Sequence, residues 1–128
     1  MYTFHRYIEP WNYHYRNKKL KKIKYDLGGG GFYPLLFFIV KYIKPNIVVE
    51  TGVAAGFSSY AILKAIEENK KGRLYSSDFP YFRIPNPEKY IGIIVPEKLK
   101  KSWDLLIDGD NINPVSYTHL TLPTKRIV

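Results

Sequence analysis

The chain has no cysteine among its 128 residues, and this absence excludes disulfide bridges and thiolate metal sites. It fits a reducing compartment, so we expect a cytoplasmic protein. The opening residues, MYTFHRY, do not have the basic and then apolar layout of a secretory signal peptide. Long apolar runs are also missing, because the most apolar one, FYPLLFFIVKYI, has twelve residues and includes Lys41. A membrane span needs about 20 apolar residues, so this run predicts a buried helix and no transmembrane segment.

Acidic residues are scarce at both ends of the chain, which carries a net charge of +9. Residues 1–26 contain seven Lys or Arg against two acids, whereas residues 27–114 contain eleven against nine. The last fourteen residues add two basic side chains and no acid. We therefore predict a basic, aromatic N-terminal arm over 1–26, a near-neutral domain over 27–114 and a separate tail over 115–128.

The tail, VSYTHLTLPTKRIV, resembles the conceptual translation of a transposase sequencing adapter. One reading frame of that adapter encodes Val115 to Thr124 residue by residue. The resemblance implies a tail of non-native origin, and we expect the preceding sequence to be the front part of a longer protein. A natural Thr-rich strand and turn is the alternative interpretation.

Helix and strand patterns alternate after the flexible break LGGGG at residues 27–31. Pro34 stands where a first-turn proline is tolerated, and it predicts a helix of about ten residues that ends before Lys44 and Pro45. Residues 46–51, NIVVET, form the apolar β-branched run of a strand buried on both faces.

A second helical pattern follows this strand. Ser58 or Ser59 is available as its N-cap, and residues 69–72 provide a C-terminal stop. Its spacing predicts one buried face, made of Ala61, Ile62, Ala65 and Ile66.

Two more strands are predicted, RLYSSD at 73–78 and WDLLIDGD at 103–110. A loop with three prolines and a short helix, PEKLKKSW at 96–103, lie between them. Strand, helix and strand within about thirty residues form a βαβ unit, which implies a parallel sheet and a right-handed crossover. The predicted fold is a Rossmann-like α/β domain, truncated after about three strands and covered by helices on both faces.

The bend after the first strand is the candidate ligand site, because ligands of such units lie beyond the carboxyl ends of the strands. A phosphate-binding loop needs G-x-x-x-x-G-K-[ST], but Gly52 and Gly56 are one residue too close and Phe57 stands in place of the lysine. A dinucleotide loop needs G-x-G-x-x-G/A, whereas the second and third positions hold Ala54 and Phe57. The phosphate loop is excluded by this spacing, and the dinucleotide loop is disfavoured because a methyl group and a ring stand where clearance is required.

The remaining pattern is acid-x-Gly-x-x-x-Gly, with Asp78 ending the second strand twenty-two residues after Gly56. A carboxylate at that place can accept both ribose hydroxyls of a nucleoside. Glu50 ends the first strand near a helix N-terminus and is placed to receive an ammonium group or its water shell. Ribose and ammonium without phosphate describe S-adenosylmethionine.

These residues belong to a stretch that resembles the cofactor-binding front of class I methyltransferases. VVETGVAAGFSSYAILKAIEENKKGRLYSSDFP, at 48–80, is most similar to the group that contains macrocin O-methyltransferase and cephalosporin-hydroxylase-like proteins. IIVPEKLKKSWDLLIDGDN, at 93–111, is similar to that group's Val-Pro-Glu, Trp and Gly-Asp stretch. The likeness covers roughly residues 31–112.

The resemblance implies an S-adenosylmethionine-dependent methyltransferase acting on an oxygen of a small molecule or sugar. It implies that Glu50, Gly52 and Gly56 line the methionine side, that Asp78 holds the ribose and that Asp110 approaches the adenine amino group. The full set of implied cofactor-binding residues is Glu50, Thr51, Gly52, Ala54, Gly56, Ser58, Ser59, Asp78 and Asp110.

The chain departs from the family pattern in two ways. The family's usual pattern is acid-x-Gly-x-Gly, and this chain has Ala54 in place of the second glycine. The tail also begins before the acidic, histidine-containing segment in which metal or acceptor chemistry is expected. No catalytic base is assigned for this reason, and we expect the fragment by itself to be inactive.

Several signals have structural alternatives. Gly52 and Gly56 also fit tight packing of a strand against a helix, and Asp78 fits an Asx-turn before Phe79. Turn chemistry explains DGDN at 108–111 equally well. Asp108 and Asp110 have no histidine near them in sequence, so no metal is assigned.

The basic arm is the last feature with functional alternatives. Lys18, Lys19, Lys21 and Lys22 could contact phosphates while aromatic rings stack on bases, but a solvated helix beside the domain is favoured and nucleic acid is not expected. His5 and His14 are interpreted as surface histidines. The competing functions are a non-catalytic module that binds RNA or an anionic surface and, less favoured, an NAD(P)-dependent oxidoreductase. The sequence leaves the oligomeric state open.

Overall fold

The computed structural model describes residues 18–28, 31–79 and 84–107. These ranges contain helix α1 (Tyr33–Ile43), strand β1 (Ile47–Thr51), helix α2 (Phe57–Asn69), strand β2 (Arg73–Ser77), two 3₁₀ helices (Pro87–Lys89 and Glu97–Ser102) and strand β3 (Trp103–Leu106). The predictions on His5, His14, Asp108, Asp110 and the tail from Val115 lie outside the described residues.

Helix α1 has Pro34 in its first turn and ends at Ile43, as the sequence predicted. Lys44 then takes the left-handed conformation, with φ of +51°, and its N–H donates to the carbonyl of Val40 at 3.0 Å. Pro45 follows and has no N–H with which to continue the helix. An ion pair of 3.1 Å between Lys41 and Glu68 joins α1 to α2.

The three strands form one parallel sheet in the order β1-β2-β3. This arrangement confirms the predicted βαβ unit and the Rossmann-like α/β class. Glu50 lies beside Ser76, and Thr51 lies beside Ser77. Because the two strands run in the same direction, their carboxyl ends lie at the same end of the sheet. Asp78 follows β2 directly at that end.

The core lies between α2 and one face of the sheet. The four residues predicted for the buried face of α2 are all buried, and the most exposed of them, Ile62, is 4% exposed. Phe37 and Val40 of α1, with Leu74 and Trp103 of the sheet, belong to the same cluster. Burying an apolar side chain of this size stabilises the fold by about 1.5–3 kcal/mol.

The other face of the sheet is less covered than the sequence predicted. Ile47 and Val49 of β1 are 45% and 40% exposed, so the prediction of a strand buried on both faces was wrong. The described helices pack on the side of Val48 and Glu50, and coverage by helices is confirmed for that side. Helix α1 likewise buries one side alone, because Leu35 and the other outward residues are exposed.

No helix within the described ranges is long and apolar enough to cross a membrane. Helix α1 contains most of the apolar run from Phe32 to Ile43 and has 11 residues. At about 1.5 Å of rise per residue it is roughly half the length that a bilayer core requires.

Candidate functional site

The turn between β1 and α2 is compact and left-handed at three positions. Gly52, Ala54 and Gly56 have φ angles of +78°, +50° and +99°. The N–H of Gly52 donates to the backbone carbonyl of Ser77 at 2.8 Å, and the N–H of Gly56 donates to the carbonyl of Val53 at 2.9 Å. Ala54 therefore adopts a conformation that glycine takes without steric cost.

Asp78 binds this turn through its side chain. One carboxylate oxygen, Oδ2, accepts the N–H groups of Val53 at 2.9 Å and Ala54 at 2.7 Å. The other, Oδ1, accepts the N–H of Phe79 at 2.7 Å. A carboxylate has about four lone-pair positions, so these three backbone donors leave capacity for about one more. Asp78 thus ties the end of β2 to the β1–α2 turn.

Glu50 is buried directly beneath the turn, with 8% of its surface exposed. Oε1 accepts the hydroxyl of Ser58 at 2.5 Å. Oε2 accepts the hydroxyls of Ser59 at 2.6 Å and Ser76 at 2.7 Å. The indole Nε1 of Trp103 donates to the Ser76 hydroxyl at 2.8 Å. This Glu50 network joins all three strands to the first turn of α2.

Ser58 and Ser59 do not cap α2, and that prediction was wrong. The N-cap is Gly56, and no side chain caps the helix there. Both serines lie within the first turn of the helix, where their hydroxyls donate to the Glu50 carboxylate. The physical reason is that a buried carboxylate without donors would cost more free energy than a helix end without a side-chain cap.

Residues 91–95 pack against the outside of the turn. The N–H of Gly92 donates to the carbonyl of Ala54 at 2.8 Å, and the N–H of Ile94 donates to the carbonyl of Ala55 at 3.1 Å. A Cβ on Gly56 would lie 2.9 Å from the Cα of Gly92. The two backbones approach so closely that a side chain has no room between them.

The exposed part of the site is the rim at the strand ends. Thr51, Gly52 and Phe79 are exposed, and Asp78 is half-buried. A Cβ added to Gly52 would meet no atom of the described residues within 4 Å, so these residues leave the space beside Gly52 open. Backbone polar groups and one carboxylate therefore border an open rim at the carboxyl end of the sheet.

The structure brings together eight of the nine predicted cofactor-binding residues. Glu50, Thr51, Gly52, Ala54, Gly56, Ser58, Ser59 and Asp78 all lie in the turn, its flanking elements or the adjacent strand end. The ninth, Asp110, lies outside the described residues. Three further residues of the site, Ser76, Gly92 and Trp103, were not predicted from the sequence. The polar pair Ser76-Ser77 at the end of an apolar strand was a usable signal, whereas Gly92 gave none.

The ring of Phe57 does not lie at the position predicted from the sequence. It is 8% exposed and stacks on Tyr33, with ring centroids 5.5 Å apart. The ring therefore belongs to the core and does not occupy the open side of the turn. The Phe57 ring is therefore no reason against a dinucleotide, and the reason that rests on Ala54 stays a prediction.

Two ion pairs outside the turn shift pKa values. The ammonium of Lys64 donates a hydrogen bond to Glu67 at 2.8 Å, which lowers the pKa of that carboxyl and raises the pKa of Lys64. The carboxylate of Asp104 beside Arg73 raises the pKa of the guanidinium. Arg73 begins β2, so the second pair lies at the end of the strand opposite to Asp78.

A cavity of about 380 Å³ also lies at that opposite end. Gly72, Ser102 and the lysines 70, 71 and 101 line it, together with Ile66 and Glu67. It is separate from the rim beside Gly52. Within the ranges that the structure describes, no three His, Cys, Asp or Glu side chains come together as a possible metal site.

Comparison of the chain with protein-family models and with curated proteins found no match.

Proposed function

We propose that the described residues form the cofactor-binding side of an S-adenosylmethionine-dependent methyltransferase that acts on an oxygen of a small molecule or sugar. The observation that carries this proposal is the shared turn: Glu50 and Asp78, at the ends of neighbouring parallel strands, are both hydrogen-bonded to the β1–α2 turn or the helix it opens. A cytoplasmic location, expected from the cysteine-free sequence, is part of the same proposal.

The rim suits a nucleoside that carries no phosphate. Asp78 lies half-exposed beside it with capacity for a further donor, which supports a role in holding a ribose hydroxyl. Phe79 is 44% exposed and follows Asp78 directly, so its ring is available to pack against a base. The open space beside Gly52 leaves room for the amino-acid end of the cofactor.

Glu50 is proposed as a positioning residue for this site. Its carboxylate is buried and accepts three hydroxyl groups, so its action on a ligand passes through the groups it holds. Those groups fix the first turn of α2, whose positive dipole end favours acceptor atoms of a ligand.

When bound, S-adenosylmethionine supplies a methyl group activated by its sulfonium. The chain's own contribution is to bind and orient the cofactor, because fixed geometry supplies a large share of the rate in group transfer. The described residues offer no assigned general base.

Isothermal calorimetry with S-adenosylhomocysteine, NAD and a short single-stranded RNA tests this proposal. We expect the first compound to bind and the other two not to bind. Asp78→Asn should weaken binding by about 10- to 100-fold, the value of a hydrogen bond to a charged group. Asp104→Asn is the matched control, since it makes the same charge change at an exposed acid of β3, and it should leave the affinity within about twofold.

Asp78 also holds the turn, so a second variant separates binding from folding. Phe79→Ala changes an exposed ring and should weaken binding without lowering the melting temperature. Equal affinity for S-adenosylhomocysteine in the wild type and both variants would contradict the proposal. Binding of NAD or RNA in its place would favour the corresponding alternative function.

A further inference from the structure

Residues 18–27, which we call the strap, pack against residues 90–93, next to the outside of the β1–α2 turn. The ammonium of Lys19 donates to the backbone carbonyl of Ile93 at 3.0 Å. The rings of Tyr25 and Tyr90 meet edge to face, with their centroids 5.9 Å apart. These contacts fasten the strap to a segment that is remote from it in sequence.

The apolar side chains of the strap belong to the same cluster as the turn. Leu27 is 4% exposed, and Leu20 and Ile23 are half-buried. Their cluster includes Ala55, which lies in the turn, and Phe57, which begins α2. The strap is therefore docked through its apolar residues, while its lysines are exposed.

A continuous series of bonds leads from the strap to the rim. Ile93, which accepts the hydrogen bond from Lys19, directly follows Gly92. The N–H of Gly92 donates to the carbonyl of Ala54 at 2.8 Å, and the N–H of Ala54 donates to the carboxylate of Asp78 at 2.7 Å. Support for the turn therefore depends on the position of the residues that the strap holds.

Docking of the strap is close to balance. Isolated segments of about ten residues keep little regular structure in water, so the strap depends on its contacts with the rest of the fold. Three apolar anchors offset the conformational entropy of the whole segment. The strap also contains five lysines and a single acid, Asp26, and like charges oppose compact states. Segments of this kind open locally before the rest of a protein unfolds.

We propose that the strap regulates the rim. When docked, it holds the β1–α2 turn in the shape that binds the ligand, and its release lowers the affinity of the rim. This inference rests on the proposed function for the identity of the ligand, S-adenosylmethionine. The coupling is reciprocal, because a ligand that prefers the docked state favours docking by the same factor.

Amide hydrogen exchange of the full chain tests the strap without any ligand. L20S with I23S removes two anchors and should speed the exchange of the Gly92 N–H by about tenfold or more. The core control is L36S with F38S, because both side chains are also half-buried but pack against the main core cluster. With each variant measured equally far below its own melting temperature, the core control should change this exchange by less than about threefold.

Calorimetry with S-adenosylhomocysteine tests the effect on the rim. L20S with I23S should weaken binding by about fivefold or more well below the melting temperature, since a smaller fraction of the protein is competent to bind. The core control should stay within about twofold of the wild type. K19Q is a milder change that removes the donor to Ile93 and should weaken binding about threefold. K19R keeps a donor and should restore the wild-type affinity.

Limited proteolysis of the wild type measures the reverse coupling. Saturating S-adenosylhomocysteine should slow trypsin cleavage after Lys21, Lys22 and Lys24 by about fivefold or more. Cleavage after Lys70 and Lys71, which are exposed at the opposite end of the sheet, should not change. A purely structural role of the strap would leave both sets of sites insensitive to the ligand.

Equal exchange of the Gly92 N–H in L20S with I23S and in the core control would overturn the proposal. Equal affinity for S-adenosylhomocysteine in the wild type and in L20S with I23S would do the same, as would cleavage of the strap that the ligand does not slow. A wild type that binds no S-adenosylhomocysteine would instead contradict the proposed function. The exchange comparison would then decide by itself whether the strap holds the turn.

Discussion

The backbone N–H of Ala54 lies 2.7 Å from the carboxylate of Asp78, twenty-four residues further along the chain. This bond, and a second one from Gly92 to the Ala54 carbonyl, hold an alanine in the left-handed conformation. A residue other than glycine costs about 1–2 kcal/mol there. The surrounding contacts therefore maintain local strain at the candidate site.

Ala54→Gly should remove that strain. We expect it to leave the protein as stable as the wild type or to stabilise it by up to about 1 kcal/mol, because the relief exceeds or offsets the added entropy of the unfolded chain. Urea denaturation measures the change. Ala55→Gly is the control: Ala55 is fully buried and has no positive φ, so it should lose about 1 kcal/mol. A loss of similar size in both variants would show that Ala54 is not strained.

The Glu50 network should behave as one unit. Glu50→Gln places an amide against hydroxyls that donate to a carboxylate, and Ser76→Ala removes a donor to Oε2. Each change should cost about 1–3 kcal/mol. In a double-mutant cycle measured by urea denaturation, the second substitution should cost at least about 1 kcal/mol less in the presence of the first. Additive losses would mean that the two side chains act independently.

Gly92→Ala should be strongly destabilising. The new Cβ would clash with the Trp103 ring, and the φ of +69° at this position adds backbone strain. We expect a loss of about 3 kcal/mol or more. Gly28→Ala is the matched comparison, because Gly28 has a φ of +80° but no atom within 4 Å of the added carbon; it should lose about 1 kcal/mol. An equal loss of melting temperature in the two variants would contradict a packing role for Gly92.

The Lys64–Glu67 pair should make a small, pH-dependent contribution to stability. The pKa of Glu67 is lower in the folded chain than its ordinary value of 4.5. The contribution is therefore present above that value and is lost as the pH falls through the lower, folded pKa. Glu67→Gln should lower the melting temperature at pH 7 by a degree or two and should make no difference near pH 2. A difference that persists in acid would assign the loss to packing.

The outer face of β1 should limit solubility. Ile47 and Val49 are 45% and 40% exposed on a strand at the edge of the described sheet, and exposed apolar edge strands promote association. Val49→Lys should raise the concentration at which the protein aggregates, as measured by light scattering, with little change in melting temperature. Val48→Lys is the contrast, because Val48 packs against the core cluster, and it should unfold the protein.

The sequence predicted the order and type of the elements because each carries a strong local signal. Pro34 and Pro45 bracket α1, and the 3.6-residue spacing of Ala61, Ile62, Ala65 and Ile66 marks the buried side of α2. Parallel pairing of β1 and β2 followed from the helix between them. These signals lie within a few residues of one another, so no tertiary contact is needed to interpret them.

Features that depend on tertiary contact were missed or mistaken. Ser58 and Ser59 have the chemistry of N-caps, but a buried acid from another element takes their hydroxyls. The run that contains Val49 has the composition of a strand buried on both faces, yet its burial depends on which other elements pack over it. Gly92 supports the turn through atoms that are 36 to 38 residues away in sequence, and no local pattern marks such a contact.

The placement of Gly92 between the Ala54 carbonyl and the indole of Trp103 gives the protein an intrinsic optical reporter. A displacement of the turn by a few tenths of an ångström would change the surroundings of the indole, because the backbone of Gly92 lies directly between the turn and the ring. With the other tryptophan, Trp11, replaced by phenylalanine, the emission of Trp103 would register events at the rim without any attached dye.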